Sequence, residues 1–224
     1  MRFQSILKIG SFVAASSLIG AAGSALAEEG SYKFKPTHAR TSLNWSLPRS
    51  DDNWDGGLGF QGQLLMPAEG LPKEYRYGLS LGVSDWDANE DTQTITGGNA
   101  ASGALSGDAQ IVQLGVSLLR EHALPQGINL TLETGLVYQN FTSDTNLTFN
   151  YASSATSTQK LELDDIYSVL LAADINFTAS EDLDFYAGLA YQFDLTGGNA
   201  AGFSDTNENV ANALVVRSGI EIKF

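Results

Sequence analysis

The chain has no cysteine, so it can form no disulfide framework, thiol nucleophile or thiolate metal site. It has only two histidines, His38 and His122, which leaves little imidazole for general acid–base chemistry. Basic residues are also scarce, with 12 Lys and Arg against 26 Asp and Glu and a formal net charge of −14. That balance disfavours non-specific binding to nucleic acid. Beyond the N-terminus no apolar run approaches the roughly 18 residues of a membrane helix. The nearest, YSVLLAADI, is interrupted by Asp174. No long segment repeats apolar residues at helical spacing either, so an amphipathic-helix fold is excluded.

What is present begins with an export signature. Arg2 and Lys8 flank a modest apolar stretch that ends in Ala25-Leu26-Ala27 before Glu28. Residues 1–27 therefore read as a signal peptide. Removing them takes the formal charge to −16, because they hold two basic residues and no acidic one. Residues 28–40 read as a periplasmic N-terminal segment and 41–224 as one domain.

Within that domain the recurring period is two, the spacing of a strand with one apolar and one polar face. In the last segment Leu214, Val216, Ser218, Ile220, Ile222 and Phe224 share one parity, and Val215, Arg217, Gly219, Glu221 and Lys223 the other. The same test finds segments around Trp45, Phe60, Leu79, Leu114, Leu132, Leu171 and Leu189. The sum is about eight strands of the length a tilted membrane strand needs. Short connections such as REHALPQG and TASEDLD alternate with long polar ones such as DANEDTQTITGGNAASGALSG and the stretch from Phe141 to Glu162. The polar parity is rich in Gly, Ser, Gln and Asn, which suits a narrow lumen better than bulk water. The expected fold is all-β, an eight-stranded antiparallel up-and-down transmembrane barrel whose short turns are periplasmic. Aromatics near strand ends, Trp45, Trp54 and Trp86 toward the long loops and Tyr75, Phe177 and Phe185 toward the short turns, read as two interfacial girdles.

The terminal alternation ending in Phe224 resembles the C-terminal assembly signal of bacterial outer-membrane proteins. The whole domain resembles small eight-stranded barrels of the OmpA transmembrane-domain, OmpX and opacity-protein type. The resemblance implies outer-membrane residence in a Gram-negative envelope and insertion by the barrel-assembly machinery, with Ile220, Ile222 and Phe224 carrying the signal. It implies no single activity, since this scaffold serves adhesion, envelope integrity, narrow pores and lipid-modifying enzymes.

Parity turns Arg76, Glu133, Asp174, Arg217, Glu221 and Lys223 inward, where unpaired charge is costly, so an interior salt-bridge network is expected, with Arg217 paired to Glu133. Such a network either plugs the barrel or gates a narrow pore. An enzyme is the weaker reading, because both histidines fall on the short-turn side, apart from each other in sequence. The stretch DWDAN, with Asp85, Asp87 and Asp91, has the opening spacing of a calcium loop. Glu90 replaces its glycine and Thr96 stands where the bidentate acid belongs, so solvated loop charge is the default and no metal or cofactor is expected. The hexamer TGGNAA, at 96–101 and 196–201, lacks the lysine of a phosphate loop and reads as turn chemistry. In the third long loop NLTFNY and TQKLEL read as a hairpin above the membrane, which makes residues 141–162 a candidate surface for an extracellular protein. The other expected partners are outer-membrane lipids and lipopolysaccharide, and the expected role is structural or surface-interacting, with a gated pore as the alternative.

Overall fold

The computed structural model describes residues 36–48, 55–87, 100–143, 146–151, 156–160, 165–196 and 212–224. The signal segment, residues 28–35, Trp54, Asp91 and most of both TGGNAA copies lie outside the described residues.

Eight antiparallel strands close into a barrel: β1 (His38–Pro48), β2 (Gly57–Pro67), β3 (Tyr75–Asp87), β5 (Asp108–Ala123), β6 (Ile128–Ser143), β9 (Ile166–Ser180), β10 (Leu183–Asp194) and β11 (Ala213–Lys223). Each pairs with its neighbours in the ring, and β1 closes it on β11, from His38↔Lys223 to Pro48↔Ala213. Closure satisfies both rows of backbone groups on every strand and leaves no edge. Between these, β4 (Ala100–Ser106), β7 (Asn146–Tyr151) and β8 (Thr156–Lys160) form a separate three-stranded sheet at the long-loop end, in the order β4-β7-β8.

Three connections at the other end are tight. Residues 68–74 turn through Gly70, whose φ of 86° lies in the region that favours glycine. Pro125–Gly127 form a single 3-10 turn with Gln126 at φ 67°. Only Glu181 and Asp182 separate β9 from β10.

The alternation read from the sequence is the alternation of faces. Leu43, Leu58, Leu79, Leu114, Val116, Leu136, Leu171, Ile175 and Leu189 all point outward and are exposed, with Leu58 at 73% and Leu43 at 67%. A contiguous apolar belt of this extent is unstable against water and marks a lipid-facing surface. A strand tilted by about 40° climbs about 2.5 Å per residue, so the run from Tyr167 to Phe177 spans about 25 Å, the height of such a belt.

Four details differ from the sequence reading. The first strand starts at His38, inside the segment 28–40, so Arg40 belongs to the barrel wall. The strand β6 runs on to Ser143, and the second long loop contains β4. The hairpin comprises NLTFNY and TSTQK in place of TQKLEL, with β7 as its central strand.

Candidate functional site

The barrel interior is stratified. At the short-turn rim Lys223 Nζ pairs with Asp184 at 2.9 Å. Nearby, Arg76 bridges Glu121 at 2.8 Å and Glu221 at 3.2 Å. One level higher, Arg40 faces Glu221 at 3.0 Å and Asp174 at 3.2 Å, lies 4.0 Å over the Tyr186 ring and donates to Asn176. Next, Arg217 donates to both oxygens of Asp174, at 2.7 and 2.6 Å, and to Glu133 at 2.6 Å. Gln63 donates to the other oxygen of Glu133 at 2.7 Å and to Ser117 at 3.1 Å. The carboxylates of Glu133 and Asp174 are thus held by guanidinium groups and amides that take the place of water, which burial requires.

Sequence parity places these groups and close packing makes room for them. Gly188 faces Asp174 across β10 and β9. A β-carbon there would meet Asp174 Oδ1 at 2.2 Å and the backbone oxygen of Ala173 at 2.3 Å. Glycine lets the carboxylate lie against the neighbouring strand and meet Arg217.

Above the ionic layers, Gln139 donates to Gln192 at 2.8 Å across the lumen. A void of about 20 Å³ near Asn44, Ser84, Gln113 and Gln192 offers room for about one water. Toward the long-loop end the interior becomes apolar: Trp86, Ile111, Val137, Phe141, Ile166 and Leu170 pack into one cluster, with Trp86 edge-on to Phe141 at 6.2 Å. Phe149 of the upper sheet packs against this cluster, so β7 sits over the mouth of the barrel.

All six charged residues singled out from the sequence, Arg76, Glu133, Asp174, Arg217, Glu221 and Lys223, lie in the interior ion pairs, and Arg217 contacts Glu133. The sequence reading omits Arg40 and Asp184. Arg40 shares its parity with Ser42, Asn44 and Ser46, a signal lost when the strand begins at 41. Asp184 falls in the turn segment TASEDLD but is the second residue of β10.

Among the girdle residues, Trp45, Phe177 and Phe185 are exposed on the outer wall. Tyr75 is half-buried, with the Arg120 guanidinium 5.3 Å from its ring. Trp86 is a correction: it is 1% exposed and fills the lumen. It shares the inward parity of Ser80 and Ser84, and strand face overrides nearness to a strand end. Ile220 and Ile222 face outward, and Phe224 is exposed, its backbone N–H donating to Thr37 at 3.0 Å.

Asp85 accepts from Gln110 at 3.4 Å. Among the described residues no three His, Asp or Glu side chains come together as a metal site. The histidines do not meet: His38 sits in the interior near Glu221 at 3.9 Å, while His122 lies on the outward parity of β5.

No protein-family model matches the chain, and no curated protein matches it in sequence. Solved structures do. A major outer membrane protein from Thermus thermophilus is 14% identical, with 83% of this chain and 99% of that one covered and a TM-score of 0.50. Neisserial surface protein A is 10% identical over 84% and 96% of the two chains, with a TM-score of 0.48. The attachment invasion locus protein Ail of Yersinia pestis is 9% identical over 84% and 99%, with a TM-score of 0.39. The closed ring, the apolar outer belt and the shared course of the Thermus chain give this protein the fold of the small eight-stranded outer-membrane β-barrels.

Proposed function

We propose that the protein is a closed outer-membrane scaffold, which stiffens the envelope and holds a three-stranded sheet at the cell surface, and that it is neither a solute pore nor an enzyme. The observation that carries this reading is the occupied interior. Ion pairs fill the short-turn half, amides the middle and an apolar cluster the long-loop half. A water path through the barrel would have to cross both a fixed set of buried charges and a dry cluster, and eight strands leave an interior that side chains fill. The acidic excess of the chain lies outside this network, whose four cations Arg40, Arg76, Arg217 and Lys223 nearly balance five carboxylates, Glu121, Glu133, Asp174, Asp184 and Glu221.

The surface role rests on the upper sheet. Its polar parity carries Asn146, Thr148, Asn150, Thr156 and Thr158, with the hydroxyls of Thr148 and Thr158 3.3 Å apart. Among the described residues β8 pairs with β7 alone, an arrangement suited to strand addition by an extracellular partner.

The test is single-channel recording of the refolded protein in planar bilayers in potassium chloride. The scaffold reading expects no steps above baseline in the parent or in Arg217→Ala/Glu133→Ala. Discrete openings in the parent, or openings that appear in the double variant alone, would favour the gated pore.

A further inference from the structure

Where β6 and β9 leave the apolar belt on the long-loop side, their outward faces carry Tyr138 and Tyr167, register partners whose ring centroids are 5.3 Å apart at 45°. Leu136 and Val169 lie directly below them on the same face, so the rings begin where the lipid-facing belt ends. Just above, Asp165 accepts from the Tyr138 hydroxyl at 2.5 Å and from the Asn140 amide at 2.7 Å. The segment after β10 ties the site from the side: Leu195 donates to the Tyr167 carbonyl at 2.8 Å, and Thr196 is fixed by Asp194 at 2.9 Å.

We infer that Tyr138, Asn140, Asp165 and Tyr167 form a binding face for the sugar headgroup of an outer-leaflet glycolipid. Two aromatic faces offer a platform for the apolar faces of a pyranose ring, as they do for other flat apolar surfaces. A carboxylate has about four lone-pair sites. Two of those on Asp165 are used by Tyr138 and Asn140, which leaves acceptor capacity for sugar hydroxyls beside the platform. The height selects the ligand, because a lipid whose chains lie against Leu136 and Leu171 brings its headgroup to the level of the rings.

Charge argues against a phosphate as the group recognised. The acceptor at the centre of the site is itself a carboxylate, Asp165, held by Tyr138 and Asn140. An anionic headgroup without a bridging ion is repelled there, whereas hydroxyls suit carboxylate acceptors. The inference rests on the outer-membrane orientation, but not on whether the lumen conducts.

The experiment is native mass spectrometry of the refolded full chain released from detergent micelles doped with one lipid at a time. The three lipids are a diglucosyl diacylglycerol, phosphatidylglycerol and phosphatidylcholine of matched acyl chains. The expected result is retention of the diglucosyl lipid about fivefold above phosphatidylcholine, with phosphatidylglycerol no better than phosphatidylcholine. Tyr167→Ala and Asp165→Ala should each abolish that preference and Tyr167→Phe should keep it, all three retaining heat-modifiable mobility. Asp165→Ala lies outside the strand ladder, so it tests the site even if Tyr167→Ala fails to fold. Equal retention of all three lipids, preference for phosphatidylglycerol, or an unchanged preference in Asp165→Ala would overturn the inference. Channel openings in a barrel that still prefers the sugar lipid would sink the scaffold reading alone.

Discussion

Replacing Arg217 by methionine removes the guanidinium but keeps most of the side-chain volume, so the result reports charge more than packing. The two carboxylates it serves are not affected equally. Asp174 keeps Arg40 at 3.2 Å. Glu133, with its side chain 1% exposed, loses its one ion pair among the described residues and keeps the neutral Gln63 amide. Breaking a buried pair from one side leaves an uncompensated charge and costs about 3–5 kcal/mol, and here most of that falls on Glu133. Adding Glu133→Gln should therefore restore stability to within about 2 kcal/mol of the parent, a coupling at the upper end of the usual range for contacting residues. Adding Asp174→Asn should restore much less, because it strips Arg40 of a partner while the Glu133 charge stays. The assay is equilibrium urea unfolding in phosphatidylcholine vesicles, followed by tryptophan emission and by gel mobility with and without heating. Unfolding of Arg217→Met within about 0.5 kcal/mol of the parent, the spread of ordinary surface substitutions, would refute this account of the pair. Equal stability of the two double variants would refute it as well.

Two further outcomes follow from the same geometry. Brominated lipid should quench Trp45, which is outward, and spare Trp86, which is inside, so Trp45→Phe should lose much of the quenching and Trp86→Phe should keep it; the reverse pattern in vesicles would contradict the placement of both rings. Gly188→Ala should destabilise by about 1–3 kcal/mol in the same urea assay, the cost of overpacking, because the added methyl meets backbone as well as the Asp174 carboxylate, and an unchanged midpoint would refute that packing argument.

Alternation makes the barrel legible because it is local and each strand carries its own copy. It also turns inward six of the nine charged residues of the interior ion pairs without any knowledge of strand order. It assigns a face, however, and not what meets on that face. The apolar cluster near the long-loop end escapes a sequence reading because Ile111, Val137, Leu170 and Val215 are scattered over four strands among Gly, Ser and Gln. Phe141 borders a long polar stretch that reads as loop, and Trp86 lies near a strand end, where a girdle is expected. Arg40 and Asp184 escape for a related reason: both sit within three residues of a strand start, where polar turn chemistry hides the period. Register across the ring brings Arg217 to Asp174 through Gly188, and that depends on two long-range pairings that no single segment records.

The pairing of β1 with β11 has a consequence for how this chain must be made. His38 meets Lys223 across the whole length of the domain, and closing a loop of that size costs roughly 5 kcal/mol in chain entropy before its contacts repay it. No part of the barrel is complete until β11 is in place, because every shorter fragment presents two bare strand edges and an oily outer face. The ring is therefore obliged to close in one act. The seam, where Arg40 on β1 meets Glu221 on β11, is the pairing that removes both bare edges at once.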